Sequence, residues 1–210
     1  METHMIFETH AHYDDEAFDQ DREVLLDSME KHGVGYIVNA CASLESLKAT
    51  EELMRKYTFV YGAFGIHPDD ADKMTEETLK EIRRLCQLLK AVAIGEIGLD
   101  YYWHKEEQEH EIQKKMFLAQ MEIAREEKMP FMIHSREAAK DTLDLVKDCM
   151  KRDMYGGIIH CFSYGKEMAR EYLNMGLYLG IGGVVTFKNA KKLKEVVEYA
   201  PLEQLVLETD

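Results

Sequence analysis

The sequence predicts a TIM (β/α)8 barrel, a single α/β domain of eight parallel strands. Two observations lead there. Short apolar runs alternate strictly with longer segments of helical period, the signature of repeated βα units. Side chains able to do chemistry fall at the ends of those runs, where a barrel places its active site. The 210 residues suffice for one domain with a full core, and with only three prolines and no low-complexity linker they show no boundary. Residues 1–210 therefore read as one barrel domain, with 1–5 as a candidate tag or scar and Met5 as the natural start.

Eight runs are expected as strands: 5–12, 35–40, 59–66, 91–97, 131–134, 157–160, 177–181 and 205–208. Several are rich in Val and Ile and flanked by Gly or Pro, as strands covered on both faces tend to be. Between them, Val24, Leu25, Met29 and His32 share one helical face, with Gly33 as the stop. Leu79, Ile82, Leu85, Cys86 and Leu89 repeat that pattern, with Thr75 as N-cap and Glu76 and Glu77 suiting the first-turn dipole. Ile112, Met116, Ala119 and Ile123 mark a long helix before Pro130. Leu143, Val146, Cys149 and Met150 mark another, and Leu193, Val196, Val197 and Ala200 the last, ended by Pro201. Helices near 43–57 and 166–175 bring the count to seven, so the last helix of the barrel is missing. An open doubly wound sheet is the alternative. It would usually carry a glycine-rich phosphate loop after its first strand, where this chain has His-Ala-His.

Composition narrows the function. A formal charge of −14 argues against a protein that coats long duplex DNA by neutralising its backbone. It leaves room for a small metal-filled pocket that takes one strand end, with weak affinity and strong dependence on the ions. No apolar run of about 18 residues is present, so no membrane partner is expected. The four cysteines are far apart and form no C-x-x-C pair; buried thiols and a cytoplasmic location are the expectation. Nothing in the pattern calls for an obligate protein partner.

The strand ends carry the chemistry. The first ends at His10 and His12, the third at His67, the fourth at Glu96, the fifth at His134, the sixth at His160 and the eighth at Asp210. Residues two apart on a strand face the same side, so His10 and His12 both point into the barrel mouth. Neutral imidazoles in that arrangement ligate Zn, Ni or Mn. Glu96 lies within an apolar strand, where a carboxylate without a partner is costly. Singly, each residue has a bland reading as a satisfied core group. Convergence of four histidines and two carboxylates on one rim makes a metal centre the better one.

These same residues fall in ordered blocks: Thr9-His10-Ala11-His12-Tyr13-Asp14, Gly65-Ile66-His67-Pro68, Gly95-Glu96-Ile97-Gly98-Leu99-Asp100-Tyr101-Tyr102, Pro130-Phe131-Met132-Ile133-His134-Ser135-Arg136, His160-Cys161-Phe162-Ser163 and Leu207-Glu208-Thr209-Asp210. In them the chain resembles the TatD-type metal-dependent deoxyribonucleases, from Ile6 to Asp210. The resemblance implies that His10, His12 and Asp210 bind one divalent ion, that His134 and His160 bind a second, and that Glu96 bridges them. One departure is visible: the family has Asp two residues before its first histidine, and here Glu8 stands there. Phosphotriesterase-like and urease-like barrels place a modified lysine at the fourth-strand position, so Glu96 favours the TatD branch.

The implied function is hydrolysis of DNA phosphodiester bonds by water activated between two divalent ions, with Zn, Mn, Mg and Ni all compatible. Asp210 would orient that water or accept its proton, and Glu96 and His67 complete the catalytic set. His67, Arg136, Ser163 and Tyr101 are candidates to hold the substrate, and Tyr101, Tyr102 and Trp103 could stack an unpaired base. Hydrolysis of another ester, amide or lactone, or a metal-binding scaffold without turnover, are the rivals. Family members continue beyond the position of Asp210 through a loop and a helix. The chain is therefore expected to be cut short at its C-terminus, leaving Phe7, Leu205 and Leu207 uncovered on the outside of the barrel.

Overall fold

The computed structural model describes residues 5–210, so residues 1–4 of the candidate tag lie outside the described residues. The chain runs β1 (Ile6–Ala11), α1 (Arg22–Ser28), β2 (Val34–Ala40), α2 (Leu44–Lys56), β3 (Val60–Ala63), α3 (Glu76–Cys86), β4 (Ala91–Asp100), α4 (Glu107–Glu126), β5 (Phe131–Arg136), α5 (Ala139–Met150), β6 (Gly157–Ile159), α6 (Lys166–Asn174), β7 (Tyr178–Ile181), α7 (Lys191–Tyr199) and β8 (Leu205–Leu207). Each strand pairs in parallel with the next, in the order β1 to β8. The expected barrel of eight strands with seven interleaved helices is therefore what the chain forms.

Closure is made differently from the rest. Among the described residues β8 meets β1 through side chains and the segment after β8 rather than through a regular ladder. The Thr9 hydroxyl donates to the Leu207 carbonyl at 2.8 Å. The Asp210 N–H donates to the His10 carbonyl at 3.2 Å. Glu8 Oε1 accepts the N–H groups of His10 at 3.2 Å and Thr209 at 3.0 Å. The longer side chain at position 8 thus reaches across the seam.

Local signals behave as their chemistry dictates. Thr75 caps α3 by accepting the Thr78 N–H, Ser43 caps α2 by accepting the Ser46 N–H, and Gly33 ends its helix in the left-handed conformation. Two helix faces differ from expectation. Val24 and His32 are exposed and Leu26 is buried, so the inward face of this segment is Leu25, Leu26 and Met29, with the 3-10 turn over Met29–His32 carrying His32 away from it. Leu89 is exposed because α3 ends at Cys86, so the residue stands in a turn rather than on the helix.

A small apolar cluster of Val38, Ala40, Ala63, Ala93 and Met132 fills the lumen below the mouth, and a larger one packs helices onto the strands. Polar residues enter this outer layer with a purpose. Gln120 of α4 pairs with both backbone groups of Ile66 (2.8 and 3.1 Å), and Gln113 with both of Asp100 (3.0 and 3.1 Å). They satisfy the backbone where β3 and β4 run out of strand partners. Register shifts interrupt β1 between Glu8 and Ala11 and β4 between Ile94 and Ile97, the stretches that contain His10 and Glu96. Such irregularities re-aim side chains at functional ends of strands. On the outer wall Phe7 (52 %) and Leu207 (64 %) are exposed as expected, whereas Leu205 is half-buried against the core.

Candidate metal centre

Six side chains from the ends of four strands (β1, β4, β5 and β6) and the segment after β8 meet at the C-terminal mouth. His10 Nε2 and His12 Nε2 lie 3.0 Å apart, and each is 3.3 Å from Glu96 Oε2 and 3.5 Å from Asp210 Oδ1. Glu96 Oε1 faces the other way. It lies 2.9 Å from His134 Nδ1 and 2.6 Å from His160 Nε2, which are themselves 3.2 Å apart. One buried carboxylate therefore divides its oxygens between two groups of imidazoles. Four donors around a tetrahedral ion with bonds of about 2.0–2.2 Å stand roughly 3.3–3.6 Å apart. In the first group the contacts of the two imidazoles with each other, with Glu96 and with Asp210 have that spacing within a few tenths of an ångström, and the second needs only a small opening.

Charge points the same way. Among the described residues, no Lys or Arg pairs with Glu96 or Asp210; their partners are histidines. Burial alone would lower the pKa of His12, but hydrogen bonds to Asp210 and Glu96 outweigh it and push it up to about 10. At His134 burial is likewise outweighed, by Asp100 and Glu96, to about 9. Without another cation these rings take up protons to balance the carboxylates, and divalent ions compete for the same lone pairs.

The rings are held from behind. His12 Nδ1 contacts the Ala40 carbonyl at 2.9 Å, which leaves Nε2 free toward the centre. His134 Nε2 contacts Asp100 Oδ2 at 3.1 Å, so Nδ1 faces Glu96. Asp100 was absent from the expected site. Burial raises its pKa, but His134 and the Trp103 and Tyr102 N–H groups pull it down to about 2. Its signal in the sequence was an acid four residues beyond Glu96 on the same strand. A glycine lets β5 approach there: at Gly98 (φ +150°) a Cβ would fall 1.9 Å from the His134 carbonyl oxygen. Beneath the centre Glu208 rests on Gly180, whose Cβ would lie 2.2 Å from Glu208 Oε2, and its Oε1 accepts the Cys161 N–H.

His67 flanks the centre, with Nε2 3.7 Å from Glu96 Oε1 and Nδ1 3.4 Å from Asp69 Oδ2. Asp69 in turn pairs with His104 at 3.1 Å. The remaining substrate candidates are not gathered with them. Tyr101 stacks on His110 and donates its hydroxyl to Asp141 at 2.9 Å, while Arg136 and Ser163 are exposed on the rim. A cleft of about 980 Å³ opens from His12, His67, Glu96, His134, His160 and Asp210 toward the loop after β1 and the start of α2. Asp14, Asp15, Glu16, Glu45 and Asp69 line it, and no Lys or Arg does among the described residues. Cys41, Cys86 and Cys149 are buried and Cys161 is exposed; all four are free thiols.

The profile of the TatD related DNase family matches residues 7–210. The uncharacterized metal-dependent hydrolase YabD of Bacillus subtilis is 43% identical over 206 residues, covering 98% of this chain and 80% of that one. The uncharacterized metal-dependent hydrolase YcfH of Escherichia coli K12 is 30% identical over 208 residues, covering 98% and 77%. The crystal structure of YjjV, a TatD homolog from Escherichia coli K12, superposes with a TM-score of 0.89 at 29% identity, covering 99% of this chain and 80% of that one. With the barrel, the mouth cluster and these similarities together, the chain belongs to the TatD-related DNase family of metal-dependent hydrolases.

Proposed function

We propose that the protein hydrolyses phosphodiester bonds of DNA with two divalent ions. His10, His12, Asp210 and Glu96 would hold one, and His134, His160 and Glu96 the other. The observation that carries the reading is the division of the Glu96 carboxylate, Oε2 toward His10 and His12 and Oε1 toward His134 and His160. When bound, the ions supply Lewis acidity, which acidifies water toward neutrality and offsets charge growing on the phosphoryl oxygens. The residues do the rest. Asp210 presents Oδ1 to the histidines and would align the attacking water and take its proton. His67, which contacts Asp69 and Glu96, would hold the leaving sugar oxygen. Free thiols suit a reducing cytoplasm, and no described helix is long and apolar enough to cross a membrane.

End-labelled single- and double-stranded DNA, digested after chelation and re-addition of Mg, Mn, Zn or Ni, tests the reading. Cleavage should return with metal, and Glu96→Ala should lower it roughly 100-fold or more, as for loss of a group that stabilises transition-state charge. An alanine variant with full activity would place the chemistry elsewhere. The acidic lining of the cleft favours one second reading, hydrolysis of an uncharged ester, amide or lactone. A panel of such substrates in the same assay separates the two.

A further inference from the structure

The fold holds the two sets of metal-facing side chains in different ways. His134 lies on β5 and His160 just past β6, and those strands pair directly. His10 lies on β1 and Asp210 after β8, so the first set is split by the seam of the barrel. A buried side chain outside the centre spans that split. Glu8 is only 7 % exposed, and its Oε1 accepts the His10 N–H at 3.2 Å and the Thr209 N–H at 3.0 Å. One oxygen atom therefore ties the backbone of one ligand to the residue beside another.

Few other bonds set that spacing. The His10 carbonyl accepts the Asp210 N–H at 3.2 Å, and the Thr9 hydroxyl holds the Leu207 carbonyl at 2.8 Å. The register of β1 against β2 breaks between Glu8 and Ala11, so local bonds aim His10 as much as the ladder does. Asp210 has φ +61°, a left-handed backbone that Asp tolerates better than most residues and that its N–H bond to His10 holds. The charged neighbours of Glu8 include Asp210 and Glu208, both acids. A further negative charge there would itself attract a cation, so the reach of the side chain and its charge are separable contributions.

We propose that Glu8 is a positioning residue for the first ion. By its reach, not its charge, it fixes the distance across the seam between His10 and Asp210. The second ion, between β5 and β6, does not depend on it. The proposal rests on the two-ion reading and adds to it a residue outside the centre that sets the affinity of one ion alone.

The experiment titrates chelator-treated full-length protein with zinc against a chromophoric chelator, for wild type, Glu8→Asp and Glu8→Gln. Glu8→Asp keeps the charge but draws the oxygen back by one carbon–carbon bond, about 1.5 Å, beyond hydrogen-bond reach of Thr209. It should weaken one ion roughly tenfold to a hundredfold, the scale of a lost outer partner of a metal ligand, and leave the other unchanged. Glu8→Gln keeps an acceptor oxygen at full reach and should bind both ions as the wild type does. Amide exchange at Leu205–Leu207 in the metal-free proteins reads the clamp without metal: it should quicken in Glu8→Asp and not in Glu8→Gln. Weaker zinc binding in Glu8→Gln than in Glu8→Asp would mean that charge matters and reach does not, and overturns the proposal. Equal weakening of both ions in Glu8→Asp, or no change in zinc affinity or exchange, overturns it too. Those results leave the two-ion reading standing, whereas a wild type that takes up no zinc overturns that reading and this proposal with it.

Discussion

Glu208 shows what a single buried acid costs. It sits under the centre with Oε2 lacking a partner among the described residues. Burial pushes its carboxyl up to about 7, against the opposing pull of His160 and the Cys161 N–H. A carboxyl raised in the folded state holds its proton more tightly there than in the unfolded chain. Its contribution is therefore complete below the ordinary value of 4.5 and is lost as pH rises through about 7. The metal-free protein should lose stability over that window, and Glu208→Gln should flatten the slope. Urea melts at several pH values from about 4.5 to 8 measure it. The idea is refuted if the two proteins show parallel pH dependence.

At the scale of elements, α4 holds the mouth in shape although it carries none of the six centre residues. Its buried Gln120 and Gln113 clamp the backbone at Ile66 and Asp100, next to His67 and to the aromatic loop. Removing one clamp strands two buried backbone groups, each worth about 1–3 kcal/mol. Gln120→Ala should therefore lower Tm by roughly 4–24 °C, at about 2–4 °C per kcal/mol for a domain of this size. Calorimetry on the metal-free protein provides the check, and an unchanged Tm would mean that water or relaxation replaces the amide. The pattern of apolar residues placed α4 correctly, but the glutamines were invisible to it. A polar residue on a helix face has no meaning until the strand end it meets is known.

Across the whole molecule, the barrel has a strong side and a seam. β4 and β5 share five paired positions, whereas β8 joins β1 through Thr9, Glu8 and the backbone at His10. Exposed Phe7 and Leu207 flank that seam. Regions with few buried apolar contacts and exposed hydrogen bonds open first. Amide exchange at Leu205–Leu207 should run at least about tenfold faster than at Ile94 and Ile133. Equal protection on both sides would show that the side-chain closure is as firm as a ladder.

The alternation of apolar runs and helical segments determined the barrel, because each βα unit must bury a strand on both faces and a helix on one. Chemistry at strand ends determined the six centre residues, because a parallel barrel puts all its strand C-termini at one mouth. Neither argument needed to know which residues touch. The tertiary structure alone decided the division of Glu96 between two sets of imidazoles, which depends on the irregular register around it. It alone brought Asp100 behind His134 and Tyr101 away onto His110 and Asp141. Those are contacts between distant segments, and period and spacing along one chain carry no information about distance across it.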